Sequence, residues 1–95
     1  MCMNILIWLL ETEVDLLEIS NYIMRDSIFY ATKTVKTIEA KVKMLESFPF
    51  MGRTVPEINQ YMIRELIYKS YRIIYQIFEN EIYIIRVIHS SRNIL

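Results

Sequence analysis

The sequence predicts an α+β domain: an N-terminal strand, a helical hairpin, then a three-stranded antiparallel meander, with both helices packed on one sheet. Three observations carry this. Residues 3–9 form an apolar run containing Ile and Trp, of strand length. From about residue 11 to residue 45 the apolar positions fall three and four apart, the helical period. From residue 61 onward the chain is rich in Ile and Tyr, contains no proline and is broken by short polar turns.

The first strand is followed by Glu11 and Glu13, acidic residues that a helix dipole favours in an opening turn. Thr12 with Asp15 is a candidate capping box. Leu16, Ile19 and Ile23 share one face of this helix with Tyr22 beside them, while Glu11, Asp15, Glu18 and Arg25 point away. Asp26-Ser27 separates it from a second helix with the apolar stripe Ile28, Ala31, Val35, Ile38, Val42 and Leu45. Lys33, Lys36 and Lys43 lie on the outer side and read first as a solvated face. So short a link implies an antiparallel hairpin.

Pro49 cannot continue the second helix and Gly52 permits a tight turn, so residues 50–60 are expected to be a loop. Strands are expected at about 61–68, 70–78 and 82–88. Glu79-Asn80-Glu81 is the hairpin turn between the last two, with Asn80 taking positive φ. With Phe78 paired to Ile82, one face carries Tyr71, Ile73, Tyr75, Ile77, Ile85 and Val87 and reads as core. The other carries Arg72, Ile74, Gln76, Ile84 and Arg86 and reads as an open concave surface.

With 95 residues, one domain spanning 1–95 is expected. Hydrophobic residues make up 54% of the chain, more than so small a domain can hide, so an exposed apolar patch is expected at a partner site. Formal net charge is +0, so any nucleic-acid role requires a local basic surface. The single cysteine, Cys2, excludes a disulfide framework or a cysteine zinc site within one chain and fits a reducing, cytoplasmic setting. No metal and no cofactor are expected. The opening run Ile5 to Leu10 is too short to span a bilayer and lacks a basic flank, so no membrane association is expected.

A set of residues in fixed order then carries a resemblance. It comprises Asp15-Leu16, Ile19 and Tyr22-Ile23, then Leu45, Pro49, Gly52-Arg53 and Pro56-Glu57, then Ile63-Arg64-Glu65-Leu66, Tyr71-Arg72-Ile73 with Tyr75, and Val87 with His89 and Arg92. In this order the chain resembles the RelE/ParE superfamily of bacterial toxins along nearly its whole length. Leu9 and Thr12 depart mildly from the polar cap and small alanine often found there.

The resemblance implies the toxin of a type II toxin–antitoxin pair, a growth inhibitor of the kind linked to plasmid stabilisation and neutralised by a cognate antitoxin protein. It also implies two targets. One branch cleaves mRNA on the ribosome as an endoribonuclease (mRNA interferase); the other poisons DNA gyrase. RNA cleavage needs a base for the 2′-hydroxyl, an acid for the leaving oxygen and a cation for the phosphorane. Glu57, His89 and Arg72 resemble that constellation, as catalytic base, acid and phosphate clamp, with Arg53, Arg64 and Arg92 as further RNA- or phosphate-binding charges. Residues 50–60 hold only Arg53 in place of a lysine-rich loop, and Ser90 follows His89 where the matching nucleases have an aromatic residue. Arg72 stands where many gyrase-directed members have a small polar residue. The expectation places RNA cleavage first and gyrase poisoning as the alternative. A non-toxic degenerate member that only binds its antitoxin is the third reading.

Overall fold

The computed structural model describes residues 3–94, so Cys2 lies outside the described residues. The elements run β1 (Ile5–Trp8), α1 (Leu10–Met24), α2 (Ile28–Lys43, extended by a 3-10 turn at Met44–Glu46), β2 (Arg53–Thr54), β3 (Ile63–Tyr68), β4 (Tyr71–Phe78) and β5 (Glu81–His89). The α+β order expected from the sequence is observed, with one addition: β2 turns part of the expected 50–60 loop into a fifth strand. The sheet order is β1-β5-β4-β3-β2, antiparallel except for β1, which runs parallel to β5.

The principal core lies between the helices and the sheet. Leu16 of α1 and Ile38, Val42 and Leu45 from α2 and its extension meet Ile73, Tyr75, Ile77, Ile82, Ile84 and Val87. A second, smaller core lies on the opposite face, where Val55, Ile74 and Ile88 are packed with Ile58, Ile63 and Ile94. The loop after β2 and the C-terminal segment therefore cover a face that alternation alone marks as open.

That cover corrects the expected concave surface. Arg72 and Ile74 do lie on the face opposite Ile73, but both are buried. The register also differs. Phe78 pairs with Glu81, not Ile82, which swaps Ile84 into the main core and leaves Ile85 half-buried. An irregularity at Ile74/Tyr75 then restores parity: Tyr75 faces Ile84, yet Ile74 faces Arg86, so Ile85 is an extra residue in a bulge. Val87 consequently returns to the core, as expected.

Further differences are local. The β4–β5 turn is the two residues Glu79-Asn80, and Glu79, not Asn80, has the positive φ of 56°. β1 has the length of a central strand but occupies the sheet edge, with Ile5 exposed. Ile28 is exposed and Val35 half-buried, while Thr34 is buried between Ala31 and Ile38, so the α2 stripe is rotated slightly from the expected one. Tyr22 is exposed.

The capping box is absent. Leu9 occupies the N-cap of α1 with no side-chain bond. Thr12 Oγ1 instead donates to the carbonyl of Ile84, and Asp15 accepts from the Val87 amide at 2.9 Å and from Arg86 Nε at 2.8 Å. Both residues read as local caps thus fasten α1 to the bulged strand β5. In α2 the cap is Ser27, whose hydroxyl accepts from the Tyr30 amide. No helix among the described residues is long and apolar enough to cross a membrane.

Candidate functional site

Charged residues inside strands are costly unless paired, and the geometry shows how each is paired. β2 sets Arg53 directly opposite Glu65 of β3, and Glu65 lies opposite Ile74 of β4, which makes Arg72 its diagonal neighbour. A linear chain of ion pairs results. Arg53 Nε bonds Glu65 Oε2 at 2.6 Å; Glu65 Oε1 accepts from Arg72 Nε at 2.7 Å. Arg72 Nη1 and Nη2 then each donate to one oxygen of Glu57, both at 2.7 Å.

The chain grades from solvent to interior. The Arg53 side chain is 61% exposed, that of Glu65 0% and that of Arg72 7%. Arg72 also donates from Nη1 to the carbonyl of Arg92, and the Ile94 amide donates to Glu57 Oε2. The ion pair therefore pins the C-terminal segment across the second core.

This pairing sets the protonation states. The bond from Arg72, with smaller help from backbone amides and against the desolvation of the carboxyl, holds Glu57 down at about 2 instead of 4.5. Glu57 in turn raises the pKa of Arg72 still further above its already high value. Asp15 does the same for Arg86. A carboxylate with so low a pKa is ionised near neutrality but accepts a proton poorly.

The other expected site residues lie elsewhere. The Arg64 guanidinium donates from Nη1 to Gly52 O at 2.6 Å and from Nε to Tyr61 O at 3.1 Å, and lies 5.1 Å and 4.8 Å from the ring centres of Phe50 and Tyr61. It braces the 50–61 segment. Beside it Tyr75 Oη donates to Pro49 O and accepts from the Gly52 amide. Gly52 has no alternative here, because a Cβ would sit 2.5 Å from Glu65 O and 2.7 Å from Tyr75 Oη.

His89 ends β5, exposed, with Nδ1 2.8 Å from Ser91 Oγ and its ring edge-on to Tyr71. Together with Arg92 it lines a cleft of about 550 Å³ between α1 and the β3–β4 turn, whose lining includes neither Glu57 nor Arg72. The structure thus joins Glu57, Arg72 and the backbone of Arg92, links Arg53 through Glu65, and sets His89 and Arg64 apart. Sequence reasoning missed Glu65 as the centre of the cluster and Asp15 as the partner of Arg86. The available signal was sign alternation: Arg53, Glu65 and Arg72 are strand residues of opposite charge that adjacent strands bring together.

A family model described as the ParE toxin of the type II toxin–antitoxin system, parDE, matches residues 6–94. Among solved structures, the chain is similar to one from the chromosomal ParDE TA system of P. aeruginosa. The TM-score is 0.77 and the identity 24%, over 94% of this chain and 98% of that chain. No curated protein matches the sequence.

Proposed function

The chain belongs to the family of ParE toxins of type II toxin–antitoxin systems, and we propose that it arrests growth by poisoning DNA gyrase, not by cleaving RNA, until a cognate antitoxin neutralises it. The observation that carries this reading is the fork between Arg72 and Glu57. The guanidinium expected to clamp a phosphate has Nε, Nη1 and Nη2 all engaged within the protein. The carboxylate expected to serve as base is held at about 2 by that same guanidinium. An RNA substrate would have to break two 2.7 Å charged bonds and uncover the Glu65 carboxylate before meeting either group. His89 lies in a different cleft, whose lining includes neither Glu57 nor Arg72.

In this reading Glu57 and Arg72 hold the C-terminal segment in place. The groups open to a partner are Arg53, His89 and Arg92, each on an exposed residue. The test is induction of the toxin in a bacterial host, with chromosomal DNA and a set of transcripts followed in the same culture, and purified gyrase assayed for supercoiling. Broken DNA with full-length transcripts and inhibited supercoiling are expected. Cleaved transcripts with intact DNA, lost in Glu57→Gln and His89→Ala together, would restore the nuclease reading.

A further inference from the structure

Net charge of zero hides a segregation. α1 carries Glu11, Glu13, Asp15 and Glu18 and no lysine or arginine; α2 carries Lys33, Lys36, Lys41 and Lys43 against Glu39 alone. Asp15 is used internally by Arg86, and the other three α1 acids are exposed. The outward faces are also not those of ordinary surface helices. Leu10, Val14 and Leu17, at i, i+4 and i+7, form an apolar ridge opposite the buried face of α1, with Leu10 72% and Leu17 60% exposed. At 100° per residue Glu13 flanks this ridge on one side and Glu18 on the other.

α2 offers the complement. Its outward face holds a groove of about 400 Å³ whose walls are Phe29, Thr32, Lys33, Lys36, Thr37 and Ala40. The rows Phe29-Lys33-Thr37 and Thr32-Lys36-Ala40, each spaced four apart, run side by side along this face, with one lysine in each. One helix thus presents an apolar ridge edged with carboxylates; the other presents a shallow groove edged with ammonium groups. Both helices pack on the same face of the sheet, so ridge and groove lie side by side on the outer surface of one antiparallel hairpin.

From this self-complementarity we infer that the helical hairpin is the interface of a homodimer, the occupant of each hairpin being the hairpin of a second copy. A twofold axis running along the helices through the interface sets α1 of one protomer antiparallel on α2 of its partner, and does so twice. The result is a four-helix bundle between two outer sheets, with Glu13 and Glu18 facing Lys33 and Lys36 at both ridge-in-groove contacts. The alternative axis, which stacks α1 on α1, sets carboxylates against carboxylates and is disfavoured. Helices of 15 and 16 residues give a footprint of roughly 20 by 20 Å. At roughly 800 Å² in total the interface falls in the small, transient class, so the dimer is expected to populate only as concentration rises.

Sedimentation equilibrium of the purified full chain over a wide concentration range reads the dimer directly. The wild-type chain is expected to dimerise, and about tenfold more salt to weaken it several-fold by screening the flanking charges. The decisive arm uses two charge-reversed chains, Glu13→Lys/Glu18→Lys and Lys33→Glu/Lys36→Glu. All four positions are exposed, so melting temperatures within a few degrees of wild type check that both fold. Each alone has like charges at both contacts and should be monomeric. Mixed, they match at both contacts and should form a heterodimer of wild-type strength. A mixture that stays monomeric overturns the proposal, as does a wild-type chain that is monomeric throughout. If the same reversals weaken capture of the cognate antitoxin while the wild type never dimerises, the face belongs to the antitoxin and the proposal fails.

Discussion

Arg72 and Glu57 meet end-on, two guanidinium nitrogens against two carboxylate oxygens, each contact 2.7 Å. The pair spans β4 and the loop after β2, and everything covering the second face of the sheet hangs from it: Val55 and Ile58 on the loop side, Arg92 and Ile94 on the tail side. An arginine at this strand position reads from sequence as a functional group on an open surface. The structure makes it the internal fastener of that surface.

Arg72→Ala therefore tests stability first. Removing the guanidinium leaves the fully buried Glu65 carboxylate with only one of its two cationic partners, Arg53, and Glu57 with none. Breaking a buried ion pair from one side typically costs about 3–5 kcal/mol. Chemical denaturation should show the midpoint collapsing, and any loss of toxicity in this variant should track loss of folded protein. Arg72→Met, which fills the space but leaves Glu57 without its guanidinium and Glu65 with Arg53 alone, should recover little. A variant that melts like wild type would mean that Arg72 contributes no net stability and return it to the list of functional groups.

The same pair fixes an acid limb in the stability profile. Glu57 titrates near 2 when folded and near 4.5 in an unfolded reference. Its folded pKa is depressed, so its contribution is complete above the unfolded value and disappears as pH falls from about 5 towards 2. Denaturation midpoints measured across that window should fall for the wild type. In Glu57→Gln the profile should be lower at pH 7 and flatter between pH 5 and 2. Parallel profiles would show that the pair does not carry this linkage.

What the sequence made legible follows from where the information sits. Periodicity is local, so both helices and the last three strands were readable to within about two residues. Ile38, Val42, Leu45, Ile73, Tyr75 and Val87 were correctly set in the core. Register is not local. A bulge at Ile85 is invisible in an alternating Ile-rich run, and pairing Phe78 with Ile82 instead of Glu81 exchanged the faces of Ile84 and Ile85. The cover on the second sheet face depends on a loop and a tail meeting across β4, which no spacing rule encodes. Thr12 and Asp15 illustrate the same limit. Their side chains suit a helix cap, and only the strand seventy residues away explains why they do not form one.

The α2 stripe separates two positions that the sequence treats alike. Ile38 is fully buried against the sheet, whereas Val35 is half-buried beside the interhelical groove. Ile38→Asp places an unpaired carboxylate in the core and should leave the chain largely unfolded by circular dichroism. Val35→Asp can reach water and should cost much less, about 1–2 kcal/mol. Equal losses would mean that the groove closes over Val35 in solution.

Gly52 gives the sharpest steric prediction. Its amide donates to Tyr75 Oη at 3.1 Å, its carbonyl accepts from Arg64, and a Cβ would lie 2.5 Å from the Glu65 carbonyl oxygen. That neighbour is strand backbone, held by its pairing with Arg53 and Ile74, and cannot swing aside as a side chain would. Gly52→Ala must therefore pull β2 away from β3, lengthening the Arg53–Glu65 pair and the Tyr75 bonds together. The expected cost is about 2–4 kcal/mol, in the range of overpacking combined with a lost buried hydrogen bond. Tyr75→Phe keeps the backbone path and leaves only the Gly52 amide and Pro49 carbonyl unpaired, so about 1–3 kcal/mol is expected. Amide exchange distinguishes the two: Gly52→Ala should speed exchange along β2 and the facing edge of β3, while Tyr75→Phe should confine the change to residues 49–52. Wild-type protection in Gly52→Ala would show that the segment has room the structure does not reveal, and that glycine is not required at this position.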